Sequence, residues 1–115
     1  MIYFKKEEFK MGSEVVFDKM NPILLIKLEL LRHITGLSMT INSSYRGKKY
    51  NASVGGAKNS QHTKGTACDI STRRFTAKQK HMFLEEAFKL GFSGIGIYKT
   101  FIHLDVRKNK SLWIG

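Results

Sequence analysis

"GIGIYKTFIHLDVR", residues 94–107, decides the fold class. Two short apolar runs flank Lys99 and Thr100, the pattern of two antiparallel strands joined by a tight turn. Strand alternation puts Ile102, Leu104 and Val106 on one face and His103 and Asp105 on the other. One face can therefore bury against a core while the other presents an imidazole and a carboxylate.

Working outward, "TACDIS" (66–71) reads as a further short strand, and "LSMTINSSY" (37–45) as another, with Leu37, Met39 and Ile41 alternating against Ser38, Thr40 and Asn42. A helix is predicted over 22–35. Asn21 can cap it, Pro22 suits its first position, and Gly36 suits a left-handed C-terminal cap. Ile23, Leu24, Leu28, Leu31 and Ile34 are expected inward, with Glu29, Arg32 and His33 outward. A second helix is predicted over 77–90, with the capping-box pair Thr76 and Gln79 before it and Gly91 after it. Phe83, Leu84, Ala87, Phe88 and Leu90 should face inward, and Lys78, His81, Glu85 and Lys89 should form a solvated stripe. "RGKKYNASVGGAKNSQH" (46–62) reads as a long loop, a feature that is usually functional in a small domain. The whole is an α+β fold, a small antiparallel sheet flanked by two main helices, in one domain over residues 1–115.

The 115 residues are 42% hydrophobic and include eight Phe, four Tyr and one Trp, enough to build a core. A single cysteine, Cys68, excludes an intramolecular disulfide. The longest apolar run, "PILLIKLELL" (22–31), is broken by Lys27 and Glu29 and is too short to span a bilayer. No signal-peptide pattern opens the chain, so synthesis in the cytoplasm is expected, with any action on a cell wall following release or delivery. The net charge of +11 favours an anionic partner. A basic nucleic-acid-binding domain would cluster its cations on one element with interleaved aromatics. Here the lysines and arginines are scattered over loops and both helices, which disfavours that reading.

Two of the four histidines, His33 and His81, fall on predicted helix surfaces. The other two lie near aspartates, in "NSQHTKGTACDI" (59–70) and in the hairpin. His62, Asp69 and His103 form a candidate zinc-ligand set, since imidazole nitrogen and carboxylate oxygen suit Zn²⁺ and three protein ligands leave a position for water. Spacing alone leaves an equal alternative, in which these are ordinary loop and sheet polar residues.

The blocks "SSYR" (43–46), "YNASVGGAKNSQHTKGTACDI" (50–70) and "GIGIYKTFIHLDVR" together resemble the zinc D-alanyl-D-alanine carboxypeptidase-like murein peptidases. These are related to the lysostaphin-type peptidases and the hedgehog domain. Ser60, His62, Gly65 and Asp69 match the family's Ser-x-His-x-x-Gly-x-x-x-Asp pattern, and His103 and Asp105 its later His-x-Asp element. The resemblance, covering residues from about 22 onward, implies one zinc ion per chain on His62, Asp69 and His103. It also implies that Arg46 faces the scissile carbonyl or a substrate carboxylate, and that Ser60 lines the site and holds His62. Tyr45, Tyr50 and Tyr98 are candidates to line the groove.

Many members carry an acid three residues before the second zinc histidine, and here that position is Thr100. Asp105 is then the candidate for either the general base or the residue that holds a ligand in place. The implied activity is hydrolysis of a peptide bond in bacterial peptidoglycan, as an endopeptidase or a D-Ala-D-Ala carboxypeptidase. A short catalytic domain without a signal peptide or wall-binding module resembles phage-encoded lysis (endolysin) or entry peptidases, which favours the endopeptidase. Anionic wall polymers are expected partners through charge, and a monomer is expected. A zinc-binding relative without turnover is the alternative that Thr100 supports.

Overall fold

The computed structural model describes residues 1–115. Asn21 caps α1 (Pro22–Thr35) by accepting from the backbone N–H groups of Ile23 and Leu24, and Gly36 closes it in the left-handed conformation. Thr76 and Gln79 form the reciprocal capping box of α3 (Ala77–Lys89). Each cap satisfies amides that the first helical turn leaves without partners.

Five strands form the main sheet in the order β3–β4–β6–β5–β7: β3 (Ile41–Ser43), β4 (Ala67–Ser71), β5 (Gly94–Ile97), β6 (Phe101–Asp105) and β7 (Ser111–Ile114). The first four pair antiparallel, and β5–β6 is the expected hairpin. The outermost strand departs from the all-antiparallel expectation, because β7 runs parallel to β5. A two-stranded ribbon, β1 (Lys10–Met11) with β2 (Glu14–Val15), precedes α1.

The sheet has two chemically distinct faces. Cys68 and Ile70 of β4, Ile95 of β5 and Ile102 and Leu104 of β6 are buried with Leu24, Leu28 and Leu31 of α1 and with Phe83 and Ala87 of α3. Asp69, His103 and Asp105 alternate with these residues and are buried too, without belonging to the apolar cluster. Phe4 and Phe9 join the core from the N-terminal segment, which is tied to α1 where the Glu29 carboxylate accepts from the amides of Ile2, Tyr3 and Phe4.

Several expectations need correction. Ile23 and Ile34 of α1 are 55% and 48% exposed and Phe88 of α3 is 52% exposed, because the sheet covers a narrower arc of each helix than its apolar residues span. The strand predicted over 37–45 is ladder-paired only at Ile41–Ser43, although Leu37 and Met39 are buried as the alternation implied. The supposed loop 46–62 contains α2 (Lys48–Ser53) and leads into a 3₁₀ turn at Gln61–Lys64.

Phe83 is fully buried between the two layers and packs against Phe75. Phe83→Ala should cost about 3–5 kcal/mol through lost transfer energy and the cavity left behind. Chemical denaturation of the purified variant checks this, and a loss under about 1 kcal/mol would contradict the packing described.

Candidate metal centre and cleft

The site is one row across the sheet. Ser43 of β3, Asp69 of β4, His103 of β6, Gly96 of β5 and Trp113 of β7 are register partners in succession. His62 reaches this row from the 3₁₀ turn, where Ser60 caps the turn by accepting from the His62 amide at 3.2 Å. Gly65 ends the turn at a φ of 72°, and a Cβ there would lie 2.0 Å from the Lys19 carbonyl oxygen. Its own carbonyl accepts from the Asn21 amide, which ties the His62 turn to the start of α1.

His62, Asp69 and His103 are all buried, and one ligand atom from each lies within 4.8 Å of the others. The hydrogen bonds identify those atoms. His62 Nδ1 lies 2.8 Å from the Ser44 carbonyl oxygen, which can only accept, so Nδ1 carries the hydrogen and Nε2 faces Asp69 Oδ1 at 3.2 Å. His103 Nε2 donates to Asp105 Oδ2 at 2.7 Å, and Nδ1 faces the same Asp69 oxygen at 3.0 Å. Each imidazole thus has its outer nitrogen fixed by an oxygen acceptor, the arrangement that orients metal-ligating histidines. A carboxylate oxygen 3.0–3.2 Å from the inner nitrogen of each ring needs positive charge between them, met by a shared proton or by a bound cation. Two imidazole nitrogens and one carboxylate oxygen, converging with that need for positive charge, fit Zn²⁺.

The electrostatics agree with the geometry. Burial on its own would raise the Asp69 carboxyl, but hydrogen bonds from His103 and His62 outweigh it and hold the group down at about 2. Burial likewise opposes the ionised Asp105, yet its bonds with His103 and Arg107 keep it well below the usual carboxylate range. For His103 burial favours the neutral ring, and the two flanking carboxylates prevail and raise its pKa.

Around this cluster runs a cleft of about 390 Å³. Arg46 stands on one wall, its Nε donating to Ser43 Oγ at 2.9 Å and one terminal nitrogen to Asn51 Oδ1 at 3.2 Å. Its other terminal nitrogen is 3.6 Å from Asp69 Oδ2. Asn51, from α2, also donates to the Ala57 carbonyl, so one buried amide knits the 46–62 segment together. The opposite wall is aromatic. Trp113 tilts against the His103 ring with centroids 5.1 Å apart and donates to the Tyr98 hydroxyl, while Tyr98 stacks on Phe101.

Of the residues singled out in the sequence, His62, Asp69, His103, Arg46, Ser60 and Tyr98 meet at this cleft. Tyr45 and Tyr50 do not. They line a separate hollow with Glu7, Glu8 and Lys10 on the outer side of β3. The cause is local: the Ser44 carbonyl and the Arg46 amide both bond to His62, so Tyr45 between them points the other way. Asp105 is fully buried behind His103, its oxygens taken by His103 and by Arg107, and it does not line the cleft. That placement suits holding a ligand and does not suit taking a proton from water in the cleft. Thr100 lies in the β5–β6 turn and does not line the cleft. Asp69 is the one carboxylate that lines it.

The model of the family described as Peptidase M15 matches residues 2–105. The chain belongs to the peptidase M15 family. No curated protein matches it. The M15 match takes in the N-terminal segment that Glu29 anchors, and it stops at Asp105, before the loop and strand that supply Arg107 and Trp113. Sequence reading passed over Arg107, Trp113 and Asn51. Arg107 had a signal, since it continues the alternate positions 103 and 105. Asn51 had none within a stretch of Gly, Ser, Lys and Asn. The M15 peptidases are zinc-dependent, and this chain carries a buried His/Asp/His cluster whose ligand atoms lie close enough together to hold a metal ion.

The depressed Asp69 carboxyl makes a pH prediction for the zinc-free protein. Because its folded pKa, about 2, lies below the unfolded value near 3.8, its contribution is complete above about pH 5 and is lost as pH falls through 3.8 towards 2. That contribution is on the order of 2 kcal/mol. Urea denaturation between pH 5 and 2 should show the wild type losing more stability than Asp69→Asn, and parallel curves would refute it.

Proposed function

We propose that the chain is a zinc-dependent peptidase that hydrolyses a peptide bond in the stem or cross-link of bacterial peptidoglycan. The single observation that carries this reading is the buried triad of His62 Nε2, Asp69 Oδ1 and His103 Nδ1 facing an open cleft in an M15 chain. These three residues would hold one zinc ion. Bound there, zinc supplies a Lewis acid for the scissile carbonyl and lowers the pKa of water to about 7.

The remaining roles fall to the protein. Ser44 and Asp105 fix the two imidazoles, so that little reorganisation precedes binding. Arg107 doubly engages the Asp105 carboxylate and lies over the Trp113 ring, which holds the Asp105–His103 pair from behind. Arg46 offers paired N–H donors to a substrate carboxylate or to the oxyanion developing on the carbonyl. Its anchorage on Ser43 and Asn51 leaves it preorganised for that task.

The second reading, a zinc-binding relative without turnover, rests on one specific observation. Apart from Asp69, which is a proposed ligand, no carboxylate lines the cleft to accept the water proton.

Mass analysis of peptidoglycan fragments after digestion separates the two readings and identifies the bond cut, terminal or internal. The purified protein should carry about one zinc per chain and release new amino groups, and His62→Ala should lose both. Bound zinc with unchanged fragments would favour the inactive relative, and activity in a zinc-free preparation would refute the proposal. A second prediction concerns Gly94, where a Cβ would sit 2.1 Å from an Asp105 carboxylate oxygen. Gly94→Ala should displace Asp105 and weaken zinc binding about 10–100-fold in competition with a chromophoric chelator. Unaltered affinity would show that Asp105 does not position His103.

A further inference from the structure

The cleft continues past the His/Asp/His cluster. Gln61 and Arg107 line it and also line a second hollow of about 510 Å³, whose walls include Lys64, Lys108 and Lys110. Lys64 follows His62 in the 3₁₀ turn, while Lys108 and Lys110 belong to the link between β6 and β7. The cations therefore stand on the two segments that flank the ligand row. All three ammonium groups are exposed, and none has a carboxylate within ion-pair distance. No Asp or Glu lines the hollow, and no aromatic residue does. The net positive charge of the chain does not by itself explain this. The hollow beside β3 mixes Glu7 and Glu8 with Lys10, and the one containing Arg73 and Arg74 shares no residue with the cleft.

We propose that the Lys64–Lys108–Lys110 hollow is a substrate subsite that receives carboxylates of an acidic peptide segment lying to one side of the scissile bond. This rests on the peptidase reading, and it adds a requirement for negative charge at a defined place on the substrate. Continuity through Gln61 and Arg107 means that whatever fills the hollow extends from what occupies the cleft. Unpaired ammonium groups attract anions, and close ones add to one another's field. The hollow itself supplies no ring on which a nucleic-acid base could stack, so a strand there would be held by its phosphates alone, which the oligonucleotide below tests. Arg107 contributes shape more than charge here, since its guanidinium is already neutralised by Asp105.

The test uses a soluble cross-linked muropeptide with its peptide carboxylates free, the same muropeptide after amidation, and a single-stranded oligonucleotide. Binding to the zinc-free protein is read from the fluorescence of Trp113, the only tryptophan, and turnover is read separately on the zinc-loaded protein. The wild type should bind the free acid about tenfold more tightly than the amide at low salt, and the preference should fade near 0.5 M salt. The triple variant Lys64→Gln/Lys108→Gln/Lys110→Gln should retain the wild-type far-UV circular dichroism spectrum, erase most of that preference and raise KM about tenfold while leaving kcat unchanged. A preference that survives in the triple variant would overturn the proposal, because it would assign the charge recognition to Arg46. Oligonucleotide binding as tight as that of the free acid, and lost in the same variant, would overturn it in favour of a general polyanion surface. Absence of turnover with the binding preference intact would count against the peptidase reading alone.

Discussion

Asp69 and His103 face each other across neighbouring strands, and this register governs the rest of the site. A slip of β4 by one residue would turn Asp69 into the apolar layer and bring Cys68 or Ile70 to the cleft beside His103. The register is held from the other side, where Ile70, Ile102 and Leu104 are fully buried against the helices. Core packing and the geometry of the His/Asp/His cluster are therefore two faces of one constraint. The same row continues to Gly96 and Trp113, and glycine is required there because a Cβ would lie 2.5 Å from the indole. The aromatic wall can thus lean on the His103 ring only because β5 offers no side chain at that point.

Charge is arranged in shells around the cluster. The carboxylate of Asp69 is surrounded by two imidazoles and the Arg46 guanidinium, and Asp105 is surrounded by His103 and Arg107. Burying carboxylates is costly unless each is paired and hydrogen-bonded, and here each is both. The pairing also fixes orientation. His103 cannot rotate without breaking a 2.7 Å bond to a fully buried carboxylate.

Much of this was legible before any coordinates. Both long helices were bounded by caps with a physical mechanism, and the hairpin by strict alternation around Lys99 and Thr100. The ligand trio followed from two His/Asp pairs and a family pattern, and the cleft brings those residues together. The failures also have causes. Lys48–Ser53 lacks the apolar periodicity of a helix, because α2 is held by one polar side chain, Asn51, instead of an apolar face. β7 was hidden because its four residues follow a charged link and carry two exposed aliphatic side chains, Leu112 and Ile114. For Asp105, sequence places the side chain on the right face but does not show that His103 and Arg107 close it off.

Cys68 sits next to Asp69 in sequence but on the opposite side of the sheet, fully buried in the apolar layer. Burial and the neighbouring carboxylate both suppress its thiolate, which is the form that reacts with oxidants and disulfides. The sole sulfhydryl of the chain is thereby kept from mixed-disulfide formation and from dimerisation through sulfur. A folded copy passing from reducing to oxidising surroundings keeps this thiol out of reach of both.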